Sequence, residues 1–215
     1  MDKAHLAHYF DDLTVDVMLK AYKRVGWPLF VNGDYNINLF SIRTENNDEN
    51  RFNDVIGLLF KIDGKWVLKK YQATVDPGYY WREHLMNPDG TGILVRGYYR
   101  GGWRIGMHKG QYRALVQNKP VKLYRDKNRD LVLDRDPSTI QEGMFGVNIH
   151  KAGANSTQVD KWSAACSVIQ SLDQWNDFMK WIDKSAAKYG PVFSRAAFDE
   201  SDVFPFARAA LDESD

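Results

Sequence analysis

The chain reads as a β-rich α+β protein, and three observations carry that reading. Short apolar runs broken by Gly, Pro, Asn and Asp fill most of the interval between residues 54 and 169. Two of these runs flank Asp63-Gly64-Lys65, a short Asp-Gly turn that points to a tight hairpin. Helical periodicity is clear in two places, one near the start and one near the end. The expected architecture is a β-sandwich or mixed sheet with an N-terminal and a C-terminal helix.

Taken in order, residues 12–25 form the first expected helix, with Leu13, Val17, Ala21 and Val25 at helical spacing and Val15 and Met18 widening the stripe. Gly26-Trp27-Pro28 ends it. Residues 44–51 are polar and have no apolar anchor, so they read as a loop. Residues 54–62 and 66–74 are the arms of the hairpin, followed by a loop whose breaker is Pro77-Gly78. Gly90-Thr91-Gly92 opens a series of strand-like pieces through residues 97–103, 112–117 and 121–124. A polar turn over 125–130 precedes the strand-like Leu131-Val132-Leu133, and residues 147–150 read as a short buried strand. The second helix covers 172–189, with Trp175, Phe178, Met179 and Ile182 on one face, Asp173 as its start signal and Gly190-Pro191 as its stop. Residues 195–202 nearly repeat as 208–215, and the two copies are read as acidic amphipathic docking segments or, equally, as a duplicated flexible tail. The expected organisation is a helical extension over 1–30, a main domain over 31–193 and an acidic tail over 194–215.

Lys and Arg total 29 against 28 Asp and Glu, so no global field draws in nucleic acid or an anionic membrane. No apolar run approaches the length of a membrane span, and the first residues lack the layout of a signal peptide. The expectation is a protein made in a cytoplasm, with no nucleic-acid partner. One cysteine excludes an internal disulfide and leaves a free thiol.

That cysteine, Cys166, lies in Ser163-Ala164-Ala165-Cys166, and His150 ends the apolar run Gly146-Val147-Asn148-Ile149-His150 sixteen positions earlier. A thiol and an imidazole brought together are the minimum for thiolate catalysis, with the imidazole as base. The small residues around Cys166 would let a carbonyl and backbone N–H groups reach the sulfur. His108, beside Lys109 and Gly110, is read as a structural histidine with one satisfied ring nitrogen or, alternatively, as an exposed loop histidine able to contact a substrate carboxylate, and His84 carries no motif. A zinc site is disfavoured because no His-x-x-x-His pair occurs, and no cofactor is expected. Asp126, Asn128, Asp130 and Asp134 imitate a calcium loop, but Leu131 and Pro137 stand where Gly and Glu are needed.

The Ile149-His150 strand end, the polar loop after it and Ser163-Ala164-Ala165-Cys166 together resemble the L,D-transpeptidase catalytic-domain family. That family carries a strand ending in His-Gly, a loop of similar length, then Ser-His-Gly-Cys. The resemblance extends over roughly residues 55–169 and is nearest to divergent bacteriophage versions, in which segments like His108-Lys109-Gly110, Phe145–His150 and Trp162-Ser163 are similarly built. It implies an L,D-transpeptidase-like fold, Cys166 as nucleophile, His150 as base, Ser163 as a hydrogen-bonding site residue, and backbone N–H groups at Ala165 and Cys166 for the oxyanion. His108, Lys109, Gly110 and Trp162 would bind substrate. The implied partners are peptidoglycan stem peptides, with the tail docking to other virion proteins, in a protein carried by a phage particle or released at lysis. Three positions depart from the family: Ala164 replaces its His, Ala165 its Gly and Val168 its Arg. Ala165 would be strained if that position needs a positive φ. The same departures, with the repeated tail, fit an alternative: a virion structural or wall-binding protein that keeps the fold without the chemistry.

Overall fold

The computed structural model describes residues 10–45, 50–154 and 156–205. Helix α1 (Val15–Val25) begins where the Thr14 hydroxyl accepts the amide of Val17 and ends at Gly26, whose φ of 70° forms a left-handed cap. Its buried Met18, Ala21 and Tyr22 pack on Phe40 and Ile42 of β1 (Asn38–Arg43) and on Val55 and Leu59 of β2 (Asp54–Ile62). Alternate residues of β2, Ile56, Leu58 and Phe60, face the main core instead. A strand covered on both faces needs apolar residues throughout, which is why 54–62 reads as a nearly continuous apolar run. Asp63 (φ 50°) and Gly64 (φ 74°) then turn the chain into β3 (Lys65–Thr74), with Ile62 opposite Lys65. Two left-handed residues in succession are what a tight hairpin between right-twisted strands requires.

The sheet closes on itself. Strands β1, β11 (Val192–Asp199), β5 (Gly97–His108), β6 (Tyr112–Gln117), β9 (Ile149–Lys151), β10 (Ser167–Ile169), β3 and β2 are hydrogen-bonded in that order around a barrel. The joints β1–β11 and β9–β10 are parallel. The strand-rich α+β class therefore holds, but the main sheet is a mixed barrel and not a sandwich. A distant segment, β11, fills the gap between β1 and β5 and removes both edges. A smaller sheet of β4 (Thr91–Leu94), β7 (Val121–Asp126) and β8 (Gln141–Gly143) stands apart from it. Leu131-Val132-Leu133, expected as a strand, is irregular, with bends at Leu131 and Val132.

A short helix, α2 (Tyr79–Glu83), follows the Pro77-Gly78 loop. Helix α3 (Leu172–Tyr189) buries Trp175, Phe178, Met179 and Ile182, as its periodicity predicts. Its N-cap is Ser171, whose hydroxyl accepts the Gln174 amide, and Asp173 sits within the first turn. Residues 195–199 are not a docking tail but part of β11. Arg195 is fully buried, donates to the Ser41 hydroxyl at 2.8 and 3.1 Å, and lies 5.0 Å above the Trp103 ring. The acidic end of this copy caps helix α4 (Glu200–Val203) through Asp199 and Asp202, and Asp202 also grips Arg96 at 2.6 Å. The second copy, 208–215, lies outside the described residues, as do His5 and His8. Among the described residues no helix is long and apolar enough to cross a membrane.

Candidate active site around Cys166

The parallel joint between β9 and β10 places the expected pair. Val168 is in register with His150, so Cys166, two positions earlier, lies diagonal to His150 on the same face. The Cys166 thiol is half-buried, accepts the Asn148 backbone N–H at 3.5 Å and donates to the Gly146 carbonyl at 3.5 Å. Behind it, Val168 packs with Phe52, Ala152 and Val159, and Cys166 leans on that cluster.

His150 is 3% exposed, and its Nδ1 is 2.9 Å from the Lys151 carbonyl oxygen. A carbonyl can only accept, so Nδ1 carries the proton and Nε2 is left with its lone pair. A thiol just before β10, a neutral imidazole on β9 and the carbonyl that orients it are thus held on adjoining segments of the sheet. Burial, with the neighbouring His108 as the next contribution, lowers the His150 pKa to about 4, so the ring is neutral near pH 7. Burial also raises the Cys166 pKa, against the smaller stabilising effects of the Asn148 amide and Lys109. The resting pair is thus a neutral thiol and a neutral base, and not a preformed ion pair.

His108 differs from its expected setting. It is the last residue of β5 and not an exposed loop position, is 6% exposed, and stacks on His150 with ring centroids 4.1 Å apart. The following Lys109 (φ 49°) and Gly110 (φ 70°) form the turn into β6, closed by the Gln111 N–H to the His108 carbonyl. Lys109 overlooks the site closely enough to disfavour protonation of both imidazoles and to favour the thiolate. Gly110 lies at the tip of this turn with open space around its α-carbon. Tyr112 places its hydroxyl 3.5 Å from both His150 Nδ1 and the Lys151 carbonyl.

The loop before Cys166 is held by the main chain. Ser163 is fully buried and its hydroxyl donates to the Cys166 carbonyl at 2.6 Å, so it shapes the loop and does not face the sulfur's hydrogen-bonding groups. The Ser163 and Ala164 carbonyls accept the Gly78 and Gly92 amides. Among the described residues, the Ala165 and Cys166 N–H groups have no hydrogen-bond partner. Ala165 does not have a positive φ, so the alanine is unstrained there. Its methyl fills the space beside Gly92, where an added Cβ would come within 2.9 Å. Trp162 closes a 3-10 turn, stays 41% exposed and lies against Gly153.

Two positions that carry weight here, Asn148 and Gln117, have no signal in the sequence. Gln117 accepts the Phe145 and Val147 amides through its side chain, and its own backbone N–H donates to Asn148 Oδ1 at 3.0 Å. Among the described residues no group of three or more His, Cys, Asp or Glu is placed to hold a metal ion. The calcium-like segment spends its polar groups on itself, Asn128 donating to both Asp130 and Asp134. No protein-family model, curated protein or solved structure matches the chain.

Proposed function

We propose that the protein is a cysteine-dependent acyl transferase or hydrolase acting on peptidoglycan stem peptides, in the manner of L,D-transpeptidases. The observation that carries this reading is the Cys166, His150 and Lys151-carbonyl arrangement, in which His150 is neutral with Nε2 unprotonated. The peptide substrate rests on the resemblance around Ile149-His150 and Ser163–Cys166.

In the proposed cycle the Cys166 S–H proton passes to His150 Nε2 as the sulfur attacks the acyl carbonyl carbon. The carbonyl π pair becomes an oxyanion, for which the Ala165 and Cys166 N–H groups are the available donors. Collapse breaks the C–N bond, His150 returns its proton to the departing amine, and a thioester remains on Cys166. An incoming amine or water gives a proton to His150 and attacks the thioester. The C–S bond then breaks, and the thiolate recovers its proton from His150. Amine as acceptor gives a cross-link, and water gives carboxypeptidase or endopeptidase action. A phage-borne or lysis-associated setting belongs to the same proposal.

Mass spectrometry of purified stem peptides incubated with wild type and with Cys166→Ala tests it. Loss of a terminal residue or a new cross-link seen with wild type alone supports the reading. Unchanged peptides of several stem types, with intact walls still bound, would favour the wall-binding alternative.

A further inference from the structure

We propose that Asn148 is a positioning residue that fixes His108 as the Nε2–H tautomer, so that His108 presents a hydrogen-bond donor to the oxygen of the acyl group attacked by Cys166. The tautomer follows from the direction of two hydrogen bonds. The Gln117 backbone N–H donates to Asn148 Oδ1 at 3.0 Å, which identifies that atom as the amide oxygen and orients the group. The other end of the amide, Nδ2, is then the donor facing His108 Nδ1 at 3.1 Å. An imidazole nitrogen that accepts carries no proton, so the proton of neutral His108 is on Nε2. Protonating Nδ1 as well would set N–H against N–H.

The His108–His150 stack gives the lock its second role. Two protonated imidazoles at 4.1 Å repel, and Lys109 adds a further positive charge, so His108 remains a neutral donor while His150 accepts the thiol proton. Among the described residues His108 Nε2 has no hydrogen-bond partner, which leaves that donor for a ligand. Asn148 also links the two halves of the site, since its backbone N–H contacts Cys166 Sγ while its side chain holds His108. The Tyr112 hydroxyl and the Lys151 carbonyl lie against His150, and the Lys151 ammonium sits over the Tyr112 ring. An acyl carbonyl oxygen, or the carboxylate of a terminal amino acid, is the ligand chemistry such a donor selects.

The donor role rests on the acyl-transfer reading, whereas the tautomer lock does not, and the test separates them. Long-range proton–nitrogen NMR of the imidazoles reads the tautomer directly: wild-type His108 should be Nε2–H. In Asn148→Asp the carboxylate oxygen facing Nδ1 becomes an acceptor, and His108 should switch to Nδ1–H. Acylation of Cys166 by p-nitrophenyl acetate passes through an oxyanion, whereas alkylation by iodoacetamide does not. Asn148→Asp and His108→Leu should slow acylation by about 100-fold, the usual loss for one oxyanion donor, with alkylation changed less than about threefold. His108→Gln, whose amide NH2 can stand in for Nε2–H, should recover much of the acylation rate. Wild-type His108 found as Nδ1–H overturns the lock. Equal slowing of both reagents, or no slowing of acylation, overturns the donor role. A Cys166 inert to both reagents contradicts the acyl-transfer reading and the donor role built on it, while the lock stands or falls on the spectrum.

Discussion

His108 and His150 stack face to face, 4.1 Å between centroids and 25° between planes, although they come from β5 and β9, which are not neighbours in the barrel. Strand β6 lies between β5 and β9, and the two rings meet across it above Tyr112. Burial is the main cause that lowers both imidazole pKa values, and the stacked His108 adds to it at His150 while Lys109 adds to it at both rings.

The first prediction concerns pH. An unfolded histidine titrates near pH 6.5 and His150 in the fold at about 4. Above pH 6.5 both states are neutral at this position; as pH falls through that value the unfolded chain takes up the proton first, so stability falls between about pH 6.5 and 4. The contribution is on the order of 3 kcal/mol. Asp54, raised by burial and by Asp76 to about 7, works in the opposite sense, stabilising at low pH and losing that contribution as pH rises. Urea denaturation of wild type against His150→Gln across this range isolates the histidine, and the difference between them should shrink as pH falls. A difference that is flat with pH would contradict a buried neutral His150.

The thiol gives the second prediction. Because burial raises the Cys166 pKa, the rate of its alkylation by iodoacetamide should climb through and beyond the usual thiol range, with no plateau near pH 7. Lys109→Ala removes a cation that favours the thiolate and should slow the reaction at pH 8 by roughly three- to fivefold. A plateau at neutral pH would mean a preformed thiolate–imidazolium pair.

Close backbone approach gives the third. A methyl added at Gly78 would meet the Asp160 main chain at 2.3 to 2.7 Å, and Gly78 also donates to the Ser163 carbonyl at 2.9 Å. Gly78→Ala should cost about 1–3 kcal/mol of stability and displace the loop that carries Cys166. Thermal unfolding measures the first effect and Cys166 labelling the second. An unchanged melting temperature would contradict the packing.

Ser163→Ala provides a fourth. It removes the hydroxyl that satisfies the Cys166 carbonyl at 2.6 Å in a fully buried position, which should cost about 1–3 kcal/mol. Replacement by Thr, which keeps a hydroxyl, tests whether the bond or the small volume matters: recovery of stability identifies the bond.

What could be read from the sequence divides by range of interaction. Helix α3 was legible over its full length, since a 3.6-residue period and Gly190-Pro191 are local signals. Its cap was not, because Ser171 and Asp173 are equally good formers and only the backbone turn selects the serine. The Asp63-Gly64 hairpin was local and legible. Barrel closure was not, because it depends on β11 reaching β1 in parallel from the far end of the chain. The segment that opens with Arg195 reads locally as the first of two acidic repeats, and the burial of Arg195 depends on Ser41 and Trp103, which no local pattern connects to it. At the site, thiol and imidazole types single out Cys166 and His150, whereas Asn148 and Gln117 are ordinary amides whose importance is purely positional.

The measurement that tests the central claim most directly is the intact mass of the protein quenched in acid shortly after mixing with a stem peptide. The account predicts an added acyl mass that maps to Cys166, is removed by hydroxylamine, and is lost in both Cys166→Ala and His150→Gln. An unmodified Cys166 under conditions in which the peptide is consumed, or an adduct that persists in Cys166→Ala, would contradict it.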